Sequence, residues 1–227
     1  MRSNAFREVC TCLALLSLLS ACGGEIPGTV EMTSDDPGPI GFFTGTFPCD
    51  GCPGITAEVL LHEDGYFFSR QEYLSGSAGT LSTASAMGRW AWFADDDLLV
   101  LQARGPERRF SMPETGVLEM IAQTGGDHRV YKSVRPDDFP GSLSLIGMLE
   151  RRGDTTFFSE CATDLETPVE TGAEYQLYVR QLRRAGNPQG PVYAELEGEY
   201  AWSAEGSPAS LAIRRFGTIR PDRICQE

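Results

Sequence analysis

The chain has 227 residues, with 32 acidic against 19 basic side chains and a formal net charge of −13. Nucleic-acid phosphates would repel so acidic a surface, which excludes nucleic acid as a partner. At 41% hydrophobic and 22% charged, the composition is that of a globular protein rather than a disordered one.

In chain order, the first apolar run spans residues 9–21, follows Arg2 and Arg7, and is broken by Thr11, Ser17 and Ser20. At ~1.5 Å per residue it makes about 20 Å of helix, too short for a hydrocarbon core of ~30 Å. Charge, a short apolar stretch and small residues together form the layout of a secretory signal, so residues 1–21 are expected to be removed. The run ends in Leu19-Ser20-Ala21-Cys22. This tetrapeptide resembles the lipobox of bacterial lipoproteins, which implies acylation at Cys22 and a membrane partner through lipid. Gly23 rather than Asp follows, which in such proteins favours the outer membrane. Residues 22–40 are rich in Gly, Pro and acid and read as the lipidated tether. Nothing later in the chain approaches eighteen consecutive apolar residues, so no helical span is expected.

From 41 to 134 the pattern is strand after strand. Residues 55–61 and 66–74 flank His62-Glu63-Asp64-Gly65, and Asp-Gly is a hairpin signal. Further strands are expected at 89–93, 97–102, 108–112, 117–121 and 129–133, separated by Gly, Pro or Asp. No helical period intervenes. Short strands at this spacing predict an antiparallel up-and-down barrel, and closure removes its exposed edges. Trp90 and Trp92 share one face and are expected to fill it.

Residues 134–142, VRPDDFPGS, read as a boundary. The second domain, 140–227, opens with strands at 143–149 and 155–159. Thr171-Gly172-Ala173-Glu174 is a capping box, predicting a helix over about 172–185 with Tyr175, Tyr178, Val179 and Leu182 on one face. Gly186 and Asn187-Pro188 stop it. Strands at 192–202 and 209–216 complete a small β domain with one helix, compatible with an OB-type barrel. The fold class expected overall is mainly β.

Of the seven cysteines, Cys10 and Cys12 leave with the signal and Cys22 is acylated. Cys49, Cys52, Cys161 and Cys225 remain in an oxidising compartment and read as two disulfides, with three connectivities open. Phe47-Pro48-Cys49-Asp50-Gly51-Cys52-Pro53-Gly54-Ile55 supports four readings. It could be a local disulfide in a tight turn, a two-thiolate Cu(I) site, a thiol redox pair, or half a zinc site. The redox reading wants a helix N-terminus, which this Pro/Gly-rich stretch does not offer. The zinc reading needs two more ligands, and only His62 and His128 are present. A Cys161–Cys225 bond would pin the C-terminal tail to the second strand of the second domain.

Signatures of catalysis are lacking: no GxSxG, HExxH, P-loop or GxGxxG occurs, so no enzyme is expected. Asp95-Asp96-Asp97 reads as a solvated turn. Arg108-Arg109 and Arg214-Arg215 read as solvated, or as small basic docking points.

These motifs resemble the NlpE family of outer-membrane lipoproteins. The resemblance rests on residues 45–55, 61–65, 72–76 and 88–92 of the first domain. In the second it rests on Gly147-Met148, residues 157–163 and 194–198, and Cys225. Asp164-Leu165 replaces the family's Gly-Lys-like turn, and residues 203–210 make a different loop. The resemblance implies a lipocalin-like barrel followed by an OB-like domain. It also implies a non-catalytic, periplasm-facing lipoprotein of the outer membrane that reports envelope stress to a sensor kinase. Copper responsiveness would fall to Cys49 and Cys52, and redox responsiveness to Cys161–Cys225. The alternative is a lipoprotein that buffers copper or holds a small ligand. The sequence sets no oligomeric state.

Overall fold

The computed structural model describes residues 38–49, 51–76, 79–121, 128–184 and 190–225. The expected signal, the expected acylation site Cys22 and most of the expected tether lie outside these residues. No helix among the described residues is long and apolar enough to cross a membrane.

Eight strands follow one another: β1 (Gly41–Phe47), β2 (Ile55–Leu61), β3 (Tyr66–Leu74), β4 (Thr80–Phe93), β5 (Leu98–Ala103), β6 (Arg108–Glu114), β7 (Val117–Met120) and β8 (Arg129–Ser133). Each pairs antiparallel with the next, and β8 returns to β1 to close the barrel through Phe42↔Ser133, Phe43↔Lys132 and Thr44↔Tyr131. This is the antiparallel barrel expected. At the seam the strands touch so closely that a Cβ on Gly45 would meet the Arg129 carbonyl, so only glycine fits. The hairpin from β2 to β3 turns at Gly65, with φ of 78°, where Gly65 N–H donates to the His62 carbonyl at 3.1 Å. Asp95 and Asp96 lie in a short 3-10 turn ending at the left-handed Asp97, all exposed.

Side chains alternate across each strand, so one set fills the lumen. Phe43, Leu61, Phe67, Trp90, Trp92, Leu99, Leu101, Leu118 and Val130 form that interior cluster. The two tryptophans therefore pack the barrel as their spacing predicts.

The second sheet holds β9 (Leu143–Arg152), β10 (Thr155–Glu160), β11 (Glu166–Pro168), then helix α1 (Ala173–Arg184), β12 (Val192–Trp202) and β13 (Pro208–Arg220). Its order is β11-β10-β9-β12-β13. The two edges approach at one parallel bridge, Val169↔Leu211. Strand order, the parallel approach of third and fifth strands, and the helix between third and fourth give the OB arrangement. The helix is anchored by Tyr175 and Tyr178, both buried, with Tyr178 stacked on Phe216 at 5.2 Å. The Gly172 carbonyl accepts from Gln176 N–H at 3.2 Å, so the cap falls on Gly172, one residue beyond the expected Thr171.

Several outward residues of β1, β3 and β4 do not face water. Phe42, Tyr66, Phe68 and Met87 join Phe139, Leu145, Phe158, Tyr200 and Leu211 in a second cluster that spans barrel and sheet. Phe68 meets Tyr200 at 5.5 Å and Trp202 at 5.1 Å, both edge-on. The connecting segment contributes: Phe139 is 1% exposed and packs edge-on against Phe42 at 5.0 Å. Beneath it, the buried Arg70 pairs with Glu58 at 2.5 Å and Asp138 at 3.0 Å.

Candidate functional site

Cys49 and Cys52 are bonded to each other, with Cα atoms 5.3 Å apart. The turn between β1 and β2 that carries them requires Gly51, whose φ is 83°. Leu74 N–H donates to the Gly54 carbonyl at 3.0 Å, tying the turn to the end of β3. Both cysteines are half-buried and Pro48, Gly51 and Pro53 are exposed, so a reductant has access to the bond. While the bond is closed there are no thiolates to hold copper; reduction would supply two.

The other histidine-dependent readings find little support in the geometry. His62 lies at the far end of β2 from the cysteine turn. It stacks on Tyr66 at 4.3 Å, accepts from Asp64 N–H at Nδ1, and faces Ser207 Oγ with Nε2 at 3.2 Å. His128 packs edge-on against Phe47 at 5.1 Å, near the cysteine turn. Among the described residues no three His, Cys, Asp or Glu side chains converge on a metal position.

Cys161 and Cys225 are also bonded, with Cα atoms 5.4 Å apart across 64 positions of sequence. Cys161 follows the last residue of β10, and its N–H donates to the Ile146 carbonyl at 2.9 Å. The tail reaches it along β12, where Arg223 stands over the Tyr193 ring at 4.4 Å and 3.7 Å from Glu195.

Beside Cys161 is Glu160, a carboxylate only 3% exposed. One of its oxygens accepts from Ala162 N–H at 2.8 Å, Thr163 N–H at 2.9 Å and the Thr163 hydroxyl at 3.0 Å. The other faces Arg104 of the barrel at 3.7 Å. A second arginine, Arg89, donates to the Thr163 carbonyl and lies 3.3 Å from Asp164. The disulfide thus lies at the junction of the two halves. Burial raises the Glu160 pKa above the ordinary 4.5, against the pull of the Ala162 and Thr163 hydrogen bonds and Arg104. The stability this shift contributes is complete below the unfolded value and lost as pH rises through the higher folded value. Glu160→Gln keeps an acceptor oxygen and removes the titration. Relative to the native chain, the variant should gain stability as pH rises from about 4.5 to 7. Urea melts at both pH values check this; a difference that stays constant would refute it.

The basic pairs separate differently. Arg214 and Arg215 are exposed and bound to Glu199 and Glu197 across the strand pair, as solvated groups. Arg108-Arg109 does not behave as a unit, because strand alternation sends the two to opposite faces. Arg109 is outside with Glu107 at 2.6 Å, whereas Arg108 is half-buried and lines the lumen with Phe110. The sequence reading of both as solvated holds for Arg109 and fails for Arg108. The two-residue offset from Phe110 was the available signal.

Fold and site together define a β-barrel with a disulfide-closed Cys-x-x-Cys turn, joined through a shared core to an OB-type sheet stapled at its tail. Residues 43–129 match the family described as the NlpE N-terminal domain. Among solved structures it is similar to the Cpx pathway activator NlpE of Escherichia coli, at 25% identity over 82% of this chain and 98% of that one, with a TM-score of 0.32. It is also similar to a Shewanella oneidensis protein described as a lipoprotein, at 23% identity over 42% of this chain and 89% of that one, with a TM-score of 0.35. No curated protein matches it.

Proposed function

We propose that this chain is a non-catalytic envelope lipoprotein that senses copper and redox stress and passes the signal on by protein contact. The observation that carries the reading is the match of residues 43–129 to the NlpE N-terminal domain. In this reading Cys22 carries the acyl anchor in the outer membrane, and the globular part faces the periplasm. Cys49 and Cys52 take up Cu(I) once reduced, since soft thiolates must be free to bind. Cys161–Cys225 governs exposure of the tail, and the receiver is a membrane sensor kinase. The Cys49–Cys52 turn, accessible at one end of the barrel, is the feature that also favours a second reading, copper buffering without signalling.

One sample separates the two. The full chain, reduced and oxidised, is titrated against a Cu(I) chelator and its amide exchange followed in parallel. The sensor reading expects micromolar or tighter Cu(I) binding in the reduced form only, lost in Cys49→Ser with Cys52→Ser, together with loss of protection along the tail. Copper binding with a tail whose protection never changes would select the buffer. Identical titrations for native and doubly substituted chains, with no change in exchange, would reject both.

A further inference from the structure

The two oxygens of Glu160 have different partners. Oε2 stays within its own loop, accepting from Ala162 N–H, Thr163 N–H and the Thr163 hydroxyl. Oε1 faces Arg104 of the barrel at 3.7 Å. The first set survives protonation, because a neutral carboxyl keeps an oxygen that accepts. The second does not. It rests on opposite charge alone, and a neutral carboxyl gives the guanidinium nothing to pair with.

The two side chains also differ in freedom. Glu160 is buried at the end of β10, beside Cys161, whose N–H donates to the Ile146 carbonyl at 2.9 Å. Arg104 is half-exposed and lies in the connection between β5 and β6. Gly105 next to it has a φ of 106°, and no atom lies within 4 Å of where its Cβ would be, so the connection has room to swing. The remaining tie from Arg104 to the sheet is a hydrogen bond of 3.5 Å to the Ile146 carbonyl, too long to hold an arginine in place. The other charges nearby are otherwise engaged. Arg89 of β4 pairs with Asp164 at 3.3 Å, further along the loop. Tyr200 of β12 feels the Glu160 charge, and burial together with that charge pushes its pKa up, so it stays neutral.

We propose that Glu160 and Arg104 form a proton-operated clasp between the barrel and the loop that bears Cys161, closed while the carboxylate is ionised and open once it is protonated. Burial holds the Glu160 pKa above the ordinary 4.5 in spite of Arg104, which places the opening in mild acid. Two effects of opposite sign meet here. The buried carboxylate as a whole costs stability as pH rises, whereas the share that Arg104 gives back is present only above the folded value and is lost as pH falls through it. The clasp makes the proton a second input to the loop that carries the staple. It goes beyond the copper and redox reading and stands whether or not that reading holds, since it needs only the folded junction.

The test is a titration of the full chain, disulfides closed, from about pH 8 down to about pH 4, followed by carboxyl carbon NMR. The Glu160 signal is identified by its absence in Glu160→Gln, which keeps an acceptor oxygen for the loop. That signal should titrate with a midpoint above 4.5. Arg104→Gln should raise the midpoint by about half a pH unit or more, and Arg109→Gln, on the outer face of β6, should leave it in place. Urea midpoints of the native chain, Arg104→Gln, Glu160→Gln and the double variant then give the coupling between the two side chains. The coupling should be present at about pH 8 and vanish on the acid side of the NMR midpoint. A Glu160 midpoint at or below 4.5 would overturn the proposal. So would a midpoint that Arg104→Gln does not move, or a coupling of the same size on both sides of it.

Discussion

Replacing both sulfurs of the C-terminal bond, as Cys161→Ala with Cys225→Ala, should destabilise the protein by about 4 kcal/mol, the loop-entropy value for a loop of this length. The bond spans 64 positions, whereas Cys49–Cys52 spans 3. The same treatment of the short loop gives about 2 kcal/mol, so Cys49→Ala with Cys52→Ala should be the milder pair. Against a total stability of roughly 5–15 kcal/mol, the first loss is severe and the second tolerable. The tail has little else to hold it. Arg223 is half-exposed, and its stacking on Tyr193 and ion pair with Glu195 are surface interactions of small worth. Once the bond opens, residues after Arg220 should leave β12, and β10 should lose the restraint at its end. Urea unfolding of the two double variants measures the difference, and hydrogen exchange with reductant locates it. Equal losses for the two pairs, or unchanged protection at 155–161 and 209–216, would show that the long staple does not govern this half.

How much of this was legible in the sequence depends on how each segment earns its burial. Strands whose bulky residues alternate, such as β5 with Leu99 and Leu101 inside, could be read directly. Helix α1 was legible because Tyr175, Tyr178 and Leu182 recur at helical spacing and a cap precedes them. The first half of β4, TLSTASAM, was not legible. Its small residues carry no alternation, and only the register with β3 shows that they form a strand reaching back to Thr80. Strand β11 has three residues and is fixed wholly by pairing with β10.

The shared core escaped for a related reason. Tyr66-Phe67-Phe68 is a continuous apolar run, which marks a strand buried on both faces, but periodicity does not say what covers the second face. Phe139 lay in a stretch that composition identifies as a boundary, since Pro136, Asp137, Asp138 and Pro140 surround it. Its burial comes from Phe42 and Arg70, neither of them near in sequence. The cysteine sites were the reverse case. The Cys49–Cys52 motif is local, yet its residues alone left four readings open; the partner of Cys161 lies 64 positions away, and there the spacing left three connectivities while the family resemblance implied Cys225.

That shared core leads to the second large effect. Phe68→Ala should cost about 3–5 kcal/mol, the usual range for emptying a fully buried phenylalanine site, and lower the melting temperature by roughly 10 °C. Phe68 is 0% exposed and touches Tyr200 and Trp202 of the sheet while standing on β3 of the barrel. Its removal therefore takes contacts from both halves at once. Phe43→Ala, by contrast, empties a position inside the barrel alone. If the two halves form one cooperative unit, the native chain and Phe68→Ala each unfold in a single transition, with Trp202 and the lumen pair Trp90 and Trp92 reporting the same midpoint. The shared cluster of Phe42, Met87, Phe139 and Tyr200 predicts that outcome, reinforced by the Arg70 bridge to Asp138. A split into two transitions in Phe68→Ala but not in Phe43→Ala would still place Phe68 at the coupling point. Two transitions already present in the native chain would refute the coupling. They would leave the junction around Glu160 and Arg104 as a surface contact, and a signal raised at the tail could then not reach the barrel through packing.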